Sequence, residues 1–181
     1  MSSLAALQPS PRPPRPIVLV GLMGVGKSTV GRRLAVRLRL PFVDSDHEIE
    51  LAAGQTIPEI FERYGEAAFR DGERRVIRRL MDGRPKVIAT GGGAFMNDAT
   101  RALILERGTA VWLNADVEVL AERVSRRAGA RPLLTGRNPR DVLSALAAQR
   151  NPTYALAPIH ISSRPLPHDA MVDAILEAMQ R

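Results

Sequence analysis

The apolar run Ile17-Val-Leu-Val20 is followed at once by Gly21-Leu-Met-Gly-Val-Gly-Lys-Ser-Thr29, and the chain then takes up a helical period. No other stretch restricts the possible folds so strongly. Gly21, Gly26, Lys27 and Ser28 occupy the fixed positions of G-x-x-x-x-G-K-[ST]. The three glycines let the backbone curl with its N–H groups inward, and the following helix aims its positive dipole end at the same point. The ligand that suits this cup is a polyphosphate. Lys27 would reach the β- and γ-phosphates as a slim point charge, and the Ser28 hydroxyl would sit on a magnesium ion. Composition supports a chemical role for the lysine. Of the 26 basic residues only Lys27 and Lys86 are lysine, and a planar guanidinium is too wide to replace an ammonium inside a ring of amides.

Apolar runs and helical periods alternate along the chain. Strands are expected at 17–20, 41–43, 86–89, 109–113 and 159–161. Helices are expected at 27–39, 99–106, 117–127, 140–150 and 168–179. Between His47 and Met81 the helical pattern is interrupted at Gly54, Pro58 and Gly65, which predicts two short helices and then a longer one. Strands alternating with helices give an α/β fold, a parallel sheet wrapped on both faces with ligands at the carboxyl ends of its strands. Residues 128–140 hold Gly129, Pro132, Gly136 and Pro139 among arginines and read as a mobile basic lid.

At 181 residues the chain suits one domain, expected over 17–181. Residues 1–16, with five prolines, read as a flexible tail. There is no cysteine, hence no disulfide and no thiolate metal site. No stretch resembles a signal peptide or a membrane span, so a soluble protein is expected. The net charge of +7 could serve a nucleic acid or an acidic small substrate, or reflect only the preference for arginine. With aromatics at 4% and the arginines scattered, stacking platforms and a single basic stripe are absent.

Strand ends in such a sheet converge, so the phosphate loop, Asp44-Ser-Asp46 and Gly91-Gly-Gly93 should face one cleft. Two carboxylates one residue apart can divide the work: one holds a magnesium-bound water and the other accepts a proton from a hydroxyl. Asp46 could instead merely cap a helix. The triple glycine could expose N–H groups to a ligand or simply end a strand. His47, His160 and His168 show no metal-ligand spacing, and Trp112 reads as core.

The ordered set of Gly21 to Arg32, Phe42 to Asp46, Phe69-Arg-Asp-Gly-Glu73, Ala89-Thr-Gly-Gly-Gly93, Arg131-Pro-Leu-Leu134 and Arg150-Asn-Pro-Thr-Tyr154 resembles the shikimate kinases, from Ile17 to the C-terminus. The resemblance implies a three-layer α/β/α phosphate-loop kinase with a five-stranded parallel sheet and a mobile lid. Its implied activity is ATP- and Mg2+-dependent phosphorylation of the 3-hydroxyl of shikimate, a step of aromatic amino-acid biosynthesis. A kinase for another small hydroxy acid, such as gluconate, is the alternative.

By the same resemblance Gly24, Val25, Gly26, Lys27, Ser28 and Thr29 bind ATP. Arg70 and Arg150 clamp the substrate carboxylate, a task suited to paired guanidinium hydrogen bonds. Asp46 orients the substrate hydroxyls and takes a proton, and Gly91, Gly92 and Gly93 present backbone to the substrate. Glu73, one helical turn after Arg70, touches the substrate or holds Arg70. Ser28 binds Mg2+ directly and Asp44 through water. Arg131 is the implied lid arginine, closing over ATP and neutralising charge on the moving phosphoryl group. Arg164 is the nearest candidate for an adenine-side contact. A cytoplasmic monomer with no nucleic-acid or membrane partner completes the expectation.

Overall fold

The computed structural model describes residues 15–126, 134, 136–163 and 167–180. Five strands form one parallel sheet: β1 (Ile17–Val20), β2 (Phe42–Asp44), β3 (Val87–Ala89), β4 (Thr109–Ala115) and β5 (Ile159–Ser163), in the order β2-β3-β1-β4-β5. In the central register Ile17 lies between Val87 and Thr109. All four residues of β1 are fully buried, which is why that strand reads as an unbroken apolar run. Among the described residues seven α-helices accompany the strands: α1 (Lys27–Leu38), α2 (Ser45–Ala53), α3 (Ile57–Leu80), α4 (Asp98–Arg107), α5 (Val117–Arg126), α6 (Pro139–Tyr154) and α7 (His168–Ala178). α1 packs on α7 and β3, and α7 on β5, while α4 packs on β4 and α3. Val30, Leu34 and Leu38 carry the apolar stripe of α1 into the core, as the helical period predicts.

The segment after β2 divides as its breakers foretell. α2 ends on Gly54 in the left-handed region, and α3 starts from a capping box in which Thr56 and Glu59 satisfy each other's backbone N–H. Gly65 then interrupts α3 with φ 78° and ψ 176°, separating a short first piece from a long second one. Other boundaries moved. α2 starts at Ser45, because Asp44 is the N-cap: its carboxylate accepts from the Asp46 N–H at 3.0 Å. The capping alternative considered for Asp46 therefore belongs to Asp44, and Asp46 sits inside the first turn. α6 runs on through Pro152 to Tyr154, whose side chain is fully buried and anchors the last turn. After the triple glycine the chain makes an unforeseen 3-10 turn, Ala94–Met96, held by Ala94 N–H to Gly91 O and Met96 N–H to Gly93 O. Trp112 is core, as expected, at the centre of a cluster with Tyr154 and His160. Most of the proposed lid, residues 128–133 and 135, and with it Arg131, lies outside the described residues. So do Arg164 and the tail to residue 14.

Candidate active site

The loop after β1 takes positive φ at Gly21, Gly24 and Gly26, the curl that a phosphate cup requires. Gly26 leads into α1 with no side-chain cap, so the first N–H groups of the helix are not covered from their own end. The Lys27 ammonium lies back along the loop, donating to Gly21 O at 2.7 Å and Leu22 O at 2.8 Å, and is nearly buried. Val25 turns its side chain into the core and leaves only backbone to the loop. Ser28 Oγ donates to Asp44 Oδ2 at 2.6 Å, so the first turn of α1 and the end of β2 are tied together.

A cavity of about 350 Å³ opens beside this loop, within the size range of small-molecule sites. Gly24, Gly26, Lys27, Ser28 and Thr29 line one end. Asp44, Asp46, Arg70, Glu73 and Gly91 to Gly93 line the other, and Ile57, Pro58, Phe61 and Phe69 make an apolar wall. Four sequence motifs from separate parts of the chain thus share one enclosure. Arg150 stands just behind: its Nη1 lies 3.4 Å from where a Cβ on Gly92 would be.

The charged groups constrain one another closely. Arg70 donates to Glu73 Oε2 at 2.9 Å and to Glu66 at 3.2 Å, and its guanidinium lies over the Phe69 ring at 5.0 Å. Glu73 and Arg70 thus form an ion pair across one helical turn. The second oxygen of Glu73, Oε1, is buried and has no hydrogen-bond partner, and Asp46 Oδ1 is in the same condition. Both face Gly91, where a Cβ would come within 2.7 Å of Asp46 Oδ1 and 3.1 Å of Glu73 Oε1. Any side chain at that position would fill the space before the two carboxylates. Burial, reinforced by the charges of Asp44 and Glu73 and opposed by Lys27, pushes the Asp46 carboxyl up to about 6. Burial also raises the Glu73 carboxyl, against the pull of Arg70. Orphaned buried acceptors are rare in folded proteins. Two of them beside a guanidinium mark a place for a ligand bearing hydroxyl groups.

Several contributors escaped the sequence reading. Ser45 is fully buried and its hydroxyl accepts from Gly91 N–H at 3.2 Å, joining α2 to the glycine turn. Its position between two aspartates was the available signal. Glu50 lines the cavity and accepts from Ile57 N–H at 3.0 Å. Thr90 ties the glycine turn to Leu19 O at 3.0 Å. Tyr154 donates its phenol hydroxyl to Gly92 O. Among the described residues no group of three or more His, Cys, Asp or Glu side chains is arranged to hold a metal ion.

A phosphate cup at the end of a central parallel strand, joined to a pocket of carboxylates and guanidinium, is the layout of a phosphate-loop kinase for a small hydroxylated acid. The family model for shikimate kinase matches residues 23–180. A shikimate kinase of Zymomonas mobilis is 57% identical over 96% of this chain and 98% of its own length. The structure of the Acinetobacter baumannii shikimate kinase in complex with shikimate superposes with a TM-score of 0.89 at 40% identity, covering 93% of this chain and 94% of that one. The chain belongs to the shikimate kinase family. A gluconokinase of Sinorhizobium meliloti, with a TM-score of 0.61 and 21% identity over 93% of each chain, shares the fold.

Proposed function

We propose that this protein transfers the γ-phosphoryl group of ATP to the 3-hydroxyl of shikimate. One observation carries the reading: the unpartnered carboxylate oxygen of Asp46 and the guanidinium of Arg70 open on the same cavity as the phosphate loop. Arg70, fixed by Glu73 and Glu66, takes the substrate carboxylate together with Arg150. Asp46 accepts hydrogen bonds from the ring hydroxyls and takes the proton of the 3-hydroxyl as its oxygen bonds to the γ-phosphorus. The bond from that phosphorus to the β-bridging oxygen breaks, and ADP leaves. A carboxyl titrating near 6 is ionised at neutral pH yet basic enough to share a proton in the transition state.

Lys27 turns from the loop carbonyls to the β- and γ-phosphates when ATP is bound, and the N–H groups of Gly24 to Thr29 receive the phosphate oxygens. Ser28 Oγ and Asp44 Oδ2, 2.6 Å apart, would be the oxygen donors that hold Mg2+, the hydroxyl directly and the carboxylate through water. Such a sparse protein contribution fits an ion that draws its other ligands from phosphate and water. When bound, the ion would supply charge neutralisation on the transferring group. Arg131 and the 128–140 segment complete our reading as a lid that excludes water from ATP. The working unit is read as a cytoplasmic monomer that takes no nucleic acid. The low aromatic content supports the last point, and among the described residues no helix is long and apolar enough to cross a membrane.

A coupled assay of ADP release against shikimate, gluconate and other small hydroxy acids tests the assignment. Shikimate should give a kcat/KM at least about 100-fold above the rest, a margin expected where buried polar groups must be matched. Comparable turnover of gluconate would overturn it.

A further inference from the structure

The peptide unit joining Gly92 to Gly93 has no side chain on either flank, so little except hydrogen bonding fixes its orientation. Its carbonyl accepts from the phenol of Tyr154, 62 positions along the chain. Tyr154 is fully buried and does not line the cavity. The peptide is trans, so C=O and N–H point in opposite directions. With the carbonyl held toward the core, the Gly93 N–H turns toward the cavity that Gly93 lines. Neither that N–H nor the one of Gly92 has a protein acceptor among the described residues. Arg150 lies one helical turn before Tyr154 on α6, and its guanidinium interacts with the same phenol. Its Nη1 is also 3.4 Å from the Cβ position of Gly92. The hydroxyl therefore meets the glycine turn at the same residue, Gly92, beside which the Arg150 guanidinium lies.

We propose that Tyr154 is a positioning residue for substrate binding: its hydroxyl latches the Gly92–Gly93 peptide and steadies Arg150, so that an amide N–H and a guanidinium converge on the substrate carboxylate. Burial raises the phenol to about 12, so it keeps its proton at any working pH. Trp112, stacked on the Tyr154 ring with centroids 6.1 Å apart, holds the ring in place. The latch rests on the shikimate reading given above.

Steady-state kinetics of Tyr154→Phe test it, since this change removes one oxygen and keeps the ring. Shikimate KM should rise on the order of tenfold, the effect of losing one buried hydrogen bond, with ATP KM and kcat within about twofold. Ile175→Val, which trims a fully buried residue of α7, serves as the stability control and should leave both KM values unchanged. An unchanged shikimate KM in Tyr154→Phe overturns the latch, as does an equal rise in both KM values. Should Tyr154→Phe fail to fold, 3-fluorotyrosine labelling decides, because the chain has only two tyrosines, Tyr64 and Tyr154. The Tyr154 fluorine resonance, assigned with Tyr64→Phe, should shift on saturation with shikimate, and an unmoved resonance contradicts the proposal. If the unaltered protein does not turn over shikimate, the functional reading falls. If it does and the Tyr154→Phe kinetics are unaltered, only the latch falls.

Discussion

The proposed proton acceptor, Asp46, sits in surroundings that make opposite demands on activity and stability. Its carboxyl is raised from 3.8 to about 6, first by burial and then by Asp44 and Glu73. As the proton acceptor it must be ionised, so kcat/KM for shikimate should fall about tenfold per unit as pH drops below about 6. A profile flat between about pH 5 and 8 would remove Asp46 from that role. The stability contribution runs the other way. The folded state favours the protonated form, so the benefit is fully present below about 3.8 and is lost as pH rises through about 6. Asp46→Asn should therefore be nearly inactive yet more resistant to urea at pH ~8, by about 2–3 kcal/mol. Equal or lower stability would contradict the description of the site. The aspartate pair could be recognised from its spacing, but this coupling could not. It depends on burial and on charges brought together by packing, Glu73 among them, through the contacts of α3 with α2 and with the 3-10 turn that follows the triple glycine.

At the scale of elements, strands and helices were legible wherever hydrophobic period and breakers agreed. Ile17 to Val20 and the break at Gly65 are such places. The boundaries that moved were decided by side-chain partners outside the local pattern. Asp44 capped α2 a little earlier than its period suggested, and buried Tyr154 carried α6 past Pro152. The α3 capping box is a local device with a local cost. Thr56→Ala should lower the unfolding free energy by about 1 kcal/mol, read as a shift in urea midpoint at unchanged slope. Because α3 bears Arg70 and Glu73 in its second piece, beyond Gly65, shikimate KM should change little. A large rise in KM would mean that the cap also sets the cavity wall of Ile57, Pro58 and Phe61 in the first piece of α3.

For the molecule as a whole, the order of strands explains why motifs separated by much of the chain work together. β3 lies between β2 and β1, which brings the Gly91 turn against both Asp46 and the phosphate loop. The alternation of strands and helices made a parallel sheet legible. The family resemblance supplied which motifs to watch, and neither gave the cavity wall of Ile57, Pro58 and Phe61, whose apolar residues look like any core. The central claim is that cup and pocket are two halves of one site that hold nucleotide and acid together. Calorimetric titration of shikimate into the protein saturated with ADP and Mg2+, repeated with Arg70→Ala, tests it most directly. One shikimate should bind per chain with ADP in place, and Arg70→Ala should weaken it by about 10- to 100-fold, the worth of a charge-assisted contact. Loss of shikimate binding in the presence of ADP, or an affinity indifferent to Arg70→Ala, would contradict the account.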